Sequence, residues 1–267
     1  MDKGNIRIGT SGYQYKHWRD VFYPKDLPQK RWFEYYAERF DTVEINNTFY
    51  HLPAAETFDD WHRRAPSGFC YALKFSRYGT HLKHLKQPDS TIPLFLDRAE
   101  RLNDHLGPIL VQLPPAWKCD LPRLSAFLDA APKQHRWAVE FRNPTWLNDG
   151  VYALLRRHNT ALCIHDLIPN HPHVLTADWL YLRYHGASAE GGDYSHQALT
   201  AQADFIQRHV ADKLDVYAYF NNDAYGFAVK NALDLKRYVG LASSAAVHHD
   251  AGESPQPTPC QRPNAGL

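Results

Sequence analysis

Short runs rich in β-branched and aromatic residues recur along the chain, and each ends in polar residues. The runs lie at 6–10, 42–46, 69–75, 109–113, 137–141, 161–166, 180–185 and 216–221. Their downstream ends read Gly9-Thr10-Ser11-Gly12, then Glu44 and Asn46, Lys74, Gln112, Glu140 and Arg142, His165-Asp166, Arg183 and His185, and Asn221-Asn222. A strand covered on both faces of a parallel sheet reads as a nearly unbroken apolar run. Charged and amide residues that recur at one end of successive runs therefore mark that end of the sheet as the site of chemistry.

Between the runs, apolar positions return at helical spacing. Trp32, Tyr36 and Phe40 share a face, as do Phe58, Trp61 and Ala65. Ile92, Phe95, Leu96, Ala99 and Leu102 form a stripe, with Ser90 or Thr91 expected as N-cap and Pro93 in the first turn. Asp120 should cap a helix that buries Leu124, Phe127 and Leu128. Further stripes are Val151, Leu154 and Leu155; Leu199, Ala203, Ile206 and Val210; and Phe227, Ala228, Leu235 and Tyr238. Eight strands alternating with helices predict an α/β fold, a single (β/α)8 TIM-type barrel whose strand exits converge on one mouth. One unit is irregular: 167–178, between the sixth and seventh strands, contains Pro169 and Pro172 and no helical stripe. The barrel is expected to span 1–240, and the apolar-poor segment 241–267 to be a disordered tail.

At 267 residues the chain suits one such barrel. A formal net charge of +1 argues against bulk electrostatic capture of nucleic acid. Cys70, Cys119, Cys163 and Cys260 form no C-x-x-C pair, and Cys70 and Cys163 are expected as buried thiols. No signal-peptide pattern and no membrane-spanning apolar run occurs, so the expectation is a cytoplasmic protein with no membrane partner.

Glu44 and Asn46 share one strand face, and Glu140 shares another with Arg142. Carboxylates that converge from different strands can serve as acid and base, as nucleophile or as metal ligands; the same charges can instead form a structural ion-pair layer. Glu44, Glu140 and His185 are the catalytic candidates. Lys74, Arg142 and Arg183 would hold an anion, since a guanidinium offers two parallel donors to phosphate or carboxylate. Thr10 and Gly12 could add backbone amides to that anion. Asn46, Gln112, Asp166, Asn221 and Asn222 would orient the ligand, and Tyr13 and Tyr50 could stack on it. The basic insert 76–89 carries Arg77, Thr80, His81, Lys83, His84 and Lys86 and is a candidate lid; His81 is its ligand-binding candidate. Glu44, Glu140, His165, Asp166 and His185 are suitable ligand types for a divalent metal, although no H-x-H spacing among them fixes a site and the cofactor stays unknown.

Several blocks together resemble the YecE-like family, a bacterial and archaeal family of unknown function. They are 8–13 with Trp18 and Phe22-Tyr23-Pro24; Thr42-Val43-Glu44-Ile45-Asn46-Asn47-Thr48-Phe49-Tyr50 with Leu52-Pro53; Lys74; Thr80-His81; Gln112-Leu113-Pro114-Pro115; Glu140-Phe141-Arg142 with Trp146; Arg183-Tyr184-His185-Gly186; and Tyr219-Phe220-Asn221-Asn222. The resemblance runs from about Ile6 to about Gly240. It implies a TIM-type barrel similar to xylose-isomerase-like and endonuclease-IV-like barrels, without a clear copy of their metal-ligand pattern. The leading expectation is an enzyme, a hydrolase or an isomerase/lyase, acting on a small anionic, phosphorylated or sugar-like molecule. The alternatives are a nucleic-acid-binding or metal-dependent nucleic-acid-processing protein and a binding protein without catalysis.

Overall fold

A computed structural model describes residues 3–186 and 192–250, with backbone alone for 241–250. Eight parallel strands form one sheet: β1 Ile6–Thr10, β2 Thr42–Ile45, β3 Cys70–Lys74, β4 Leu106–Gln112, β5 Trp137–Glu140, β6 Ala161–His165, β7 Trp179–Tyr184 and β8 Asp215–Phe220. Ladder bonds run in the order β1-β8-β7-β6-β5-β4-β3-β2, and the sheet curls until β1 and β2 meet. All eight expected strands are present. β4 starts earlier than its apolar run because Gly107 and Pro108, which read as turn residues, are absorbed next to a register shift against β3.

The seam between β1 and β2 has no ladder. One bridge joins Ser11 to Glu44, and the Gly12 amide donates to the Glu44 carbonyl at 2.7 Å. Below that bridge the Tyr36 hydroxyl is inserted between the strands. It accepts from the Thr10 amide at 3.0 Å and donates to the Thr42 carbonyl at 3.0 Å. Gly9 permits this approach, because a Cβ there would lie 2.4 Å from the Thr42 carbonyl oxygen.

The helices are α1 Trp32–Ala37, α2 Asn47–Tyr50, α3 Ala55–Arg64, α4 Pro88–Ala99, α5 Leu121–Ala130, α6 Asp149–Arg157, α7 His196–Ala211 and α8 Phe227–Asp250. The Asp120 carboxylate caps α5 by accepting from the Arg123 amide at 3.1 Å, as its position predicts. The start of α4 corrects the expected N-cap. The helix begins at Pro88, behind Gln87 in a left-handed conformation, and Pro93 lies within it. Proline is well suited to a first helical turn, which outweighed the hydroxyls of Ser90 and Thr91. No helix covers 166–178 between β6 and β7, in line with the absent stripe. α8 continues through Asp250, into the segment expected as tail; Ala242, Ala245 and Ala246 favour helix there. The remainder of that tail, 251–267 with Cys260, lies outside the described residues.

Side chains alternate across the sheet. Outward residues such as Ile8, Val43, Tyr71, Ile109, Val139, Leu162 and Val216 pack beneath the helices. Inward residues fill the barrel, with Ala72, Ala138 and Ala161 leaving room for Trp179, Tyr181, Tyr217 and Tyr219. The Cys70 and Cys163 thiols are buried and free in this interior. Trp18 and Trp146 are fully covered rim residues whose indole N–H groups donate to the carbonyls of Asp223 (2.9 Å) and Trp117 (2.8 Å). No helix among the described residues is long and apolar enough to cross a membrane.

Candidate functional site

At the top of the barrel the inward period-2 positions turn ionic. Glu44 and Glu140 are 0% exposed and Arg183 1%. Arg183 Nη2 donates to Glu44 Oε1 at 2.7 Å and Nη1 to Glu140 Oε2 at 2.5 Å, so one guanidinium ties β2 to β5 from β7. Glu44 also accepts from the hydroxyls of Ser11 and of Tyr181, the latter at 2.6 Å, and Arg142 pairs with Glu140. Burial opposes ionisation of Glu140, yet the guanidiniums of Arg183 and Arg142 outweigh it and hold the carboxyl well below the usual carboxylate range. Two carboxylates and two guanidiniums thus neutralise one another in a layer that closes the barrel interior.

Above this layer opens a cavity of about 740 Å³. Its lining comes from seven strand exits: Tyr15 after β1; Asn46, Phe49 and Tyr50 after β2; Lys74, Arg77 and His81 at and after β3; Gln112 of β4; Arg142 after β5; Arg183 of β7; and Asn221 and Asp223 after β8. Lys74 decides the character of the cavity. It is only 6% exposed, its ammonium lies 4.3 Å from the Phe49 ring centroid, and among the described residues it meets no hydrogen-bond acceptor or carboxylate. Burial, reinforced by the Arg183 charge, pushes its pKa down to about 8. Arg77 is exposed beside it and likewise has no ion-pair partner among the described residues. His81 packs edge-on against Phe49 and shares a 3.0 Å hydrogen bond with Thr80 Oγ1; burial and the neighbouring Lys74 and Arg77 charges push its pKa to about 4, so its ring is neutral.

Of the residues expected at the mouth, Asn46, Tyr50, Lys74, His81, Gln112, Arg142, Arg183 and Asn221 do line this cavity. Glu44 and Glu140 lie beneath it, already engaged by arginines. His185 is turned aside: its Nδ1 faces Asn221 Nδ2 at 3.1 Å, and burial, then the Arg183 charge, drives its pKa to about 2. Thr10 and Gly12 serve the β1–β2 seam, where Thr10 Oγ1 donates to the Gly12 carbonyl at 2.6 Å. Tyr13 is buried among Phe33 and Tyr36. Asp166 accepts from the His185 amide at 2.9 Å and from the Tyr194 hydroxyl, fastening the β6 exit to the β7 exit. Asn222 donates to Asn231 of α8 at 2.9 Å. The suggested metal set Glu44, Glu140, His165, Asp166 and His185 is not gathered around one point. The carboxylates face guanidiniums, and His165 Nε2 meets the Phe141 carbonyl at 2.8 Å.

The insert after β3 is a folded segment: a π-helical turn over Tyr78–Leu82 precedes left-handed residues at His84, Leu85 and Gln87, with Leu85 buried as its anchor. Only Arg77 and His81 reach the cavity from it; Lys83 lies over Tyr78, and His84 packs on Trp117. Phe49 and Asp223 were not expected in the site. Phe49 stood in a block with Tyr50, and the positive neighbour that gives its ring a role, Lys74, became visible only in three dimensions.

Comparison with known proteins agrees with this architecture. Residues 7–259 match the family described as "Protein of unknown function DUF72". The chain is 33% identical to UPF0759 protein YecE of Escherichia coli (strain K12) over 118 residues, which span 44% of this chain and 43% of the relative, under half its length. It is 25% identical to UPF0759 protein YunF of Bacillus subtilis (strain 168) over 89% of this chain and 97% of the relative. A DUF72 family crystal structure from Thermotoga maritima superposes with a TM-score of 0.78 at 26% identity, covering 88% of this chain and 99% of that one. One from Enterococcus faecalis reaches 0.73 at 21% identity over 90% and 99%, a likeness of fold alone. The match covers nearly all of the barrel, and the chain therefore belongs to the DUF72 family.

Proposed function

We propose that the barrel mouth binds a small anionic molecule, phosphorylated or sugar-like, and that the protein is an enzyme acting on it. The observation that carries this reading is the Lys74 ammonium, buried without an acid partner among the described residues and open to a cavity of ligand size. Lysine is almost never buried unpaired, because removing its charge from water is unfavourable until an anion compensates it. A cavity of about 740 Å³ falls in the usual range for small-molecule sites. Arg77 and Arg142 stand where they can share the anion, and Asn46, Gln112 and Asn221 offer both donors and acceptors to sugar hydroxyls.

Within this reading the acid–base role passes from Glu44 and Glu140 to Lys74. With a pKa near 8, its ammonium can release and regain a proton close to neutral pH, the condition for general acid–base catalysis. The two glutamates hold Arg183 at the floor of the cavity, and their own oxygens are occupied.

Calorimetric titration with inorganic phosphate and a panel of sugar phosphates tests the proposal. Wild type should bind at one site per chain, and Lys74→Met should weaken that binding by about tenfold or more, the loss of a charge-assisted contact. Equal binding by Lys74→Met, or no anion binding by wild type, would remove the reading.

A further inference from the structure

The end of the barrel opposite the mouth carries a second cluster with metal-ligand chemistry. His62 lies in the last turn of α3, and Asp104 and His105 in the 3₁₀ turn that leads into β4. One ligand atom from each of these three residues lies within 4.8 Å of the other two. Asp104 Oδ1 is 3.9 Å from His62 Nδ1 and 3.9 Å from His105 Nε2. Both gaps are too long for a direct hydrogen bond, and both are of the size that a metal ion spans with bonds of about 2.0–2.2 Å once the exposed carboxylate closes slightly.

The surroundings prepare the His105 ring. His105 Nδ1 is 2.8 Å from the Phe69 carbonyl, to which it must donate; Nε2 then carries the lone pair and faces Asp104. A backbone carbonyl on the far nitrogen is the usual second support of a metal-bound imidazole. His62 Nδ1 lies 3.1 Å from the Leu102 carbonyl. An ion bound at this nitrogen replaces that hydrogen bond, with the ring proton carried on Nε2 instead. The rings lie 5.2 Å apart and tilted, so neither blocks the space between.

We infer that His62, Asp104 and His105 form a site for a divalent transition metal of the zinc class. Two imidazole nitrogens and a carboxylate oxygen match Zn²⁺, Co²⁺ and Ni²⁺ better than the all-oxygen preference of Mg²⁺ or Ca²⁺. The site joins the end of α3 to the start of β4, beside the start of β3, where Phe69 supplies its carbonyl. This is the face of such barrels that governs stability, so the ion's role is to tether these elements, separately from any chemistry at the mouth. Asp104 is exposed, which leaves the ion open to exchange with solvent.

The untagged full-length chain is titrated with Zn²⁺ and with Co²⁺. One equivalent of Co²⁺ should develop the visible bands of a nitrogen–oxygen site, and one equivalent of Zn²⁺ should raise the melting temperature by several degrees. Nitrogen-15 spectra should show His62 exchanging an Nδ1 proton for an Nε2 proton on binding. Asp104→Asn and His62→Gln, both at positions with solvent access, should each weaken Zn²⁺ binding by about tenfold or more. Zn²⁺ affinity equal to wild type in both variants would overturn the inference and assign any uptake to the others among the chain's sixteen histidines. Wild type that takes up no Zn²⁺ at micromolar concentration would overturn it equally.

Discussion

Lys74 is held at the mouth against its own solvation. Folding lowers its pKa from the ordinary 10.5 to about 8, so between those values the unfolded chain binds more protons than the folded one. The penalty for burying the ammonium is thus full below about pH 8 and fades as the pH rises toward 10.5. Lys74→Met should be more stable than wild type at pH 7, on the order of 2 kcal/mol, and the gap should narrow in alkaline buffer. Urea denaturation at pH 7 and pH 9.5 measures both; a destabilised Lys74→Met at pH 7 would show that the ammonium has a partner in solution. Anion affinity should fall as the pH passes about 8 and Lys74 loses its charge. Arg183 behaves in the opposite way. Arg183→Met strands two fully buried carboxylates and should cost about 3–5 kcal/mol. The contribution of Glu140 to this layer is present above the usual carboxylate range and is lost as acid brings the pH down through its depressed pKa. Among single residues, the polar strand ends disclosed the mouth. Which of them hold one another and which face the cavity could not be read from the chain, because Glu44, Glu140 and Arg183 come from β2, β5 and β7 and meet only across the barrel.

At the scale of elements, closure rests on a side chain. β7 and β8 share a six-residue register, whereas β1 meets β2 through one bridge and the Tyr36 hydroxyl. Tyr36→Phe keeps the ring packing and strips the Thr10 amide of its acceptor. An unsatisfied buried donor costs about 1–3 kcal/mol, and urea denaturation should show a loss of that size. Hydrogen exchange should find the Thr10 amide opening faster in Tyr36→Phe, while β7 and β8 amides hold their protection. An unchanged exchange rate at Thr10 would mean that the seam closes without the phenol. The helical stripe of Trp32, Tyr36 and Phe40 made the packing of α1 legible in advance. It carried no sign that Tyr36 also splices two strands, since that role depends on Gly9 bringing β1 against β2.

For the molecule as a whole, the charges balance while their placement does not. A formal charge of +1 contains a neutralised ionic floor, and above it Lys74 and Arg77 have no ion-pair partner among the described residues. Ligand binding in such a small site should depend only weakly on salt, whereas a protein tracking many phosphates of a nucleic acid loses affinity steeply as counterions return. Calorimetry with phosphate and fluorescence anisotropy with an oligonucleotide, each from 50 to 200 mM salt (about the range over which that loss is read), separate the two. A steep slope with tight oligonucleotide binding would favour the nucleic-acid alternative. By itself the sequence determined the strand and helix pattern, the break between β6 and β7, and the end of the barrel where polar residues gather. These follow from periodicity and local backbone preference, which act over a few residues. Tertiary structure alone decided that the two glutamates are spent on Arg183, that Lys74 is left without an acid among the described residues, and that His62 meets Asp104 and His105 at the far end. Those outcomes depend on barrel closure and on side chains from distant segments coming within a few ångströms, where a buried charge must find a partner or wait for a ligand.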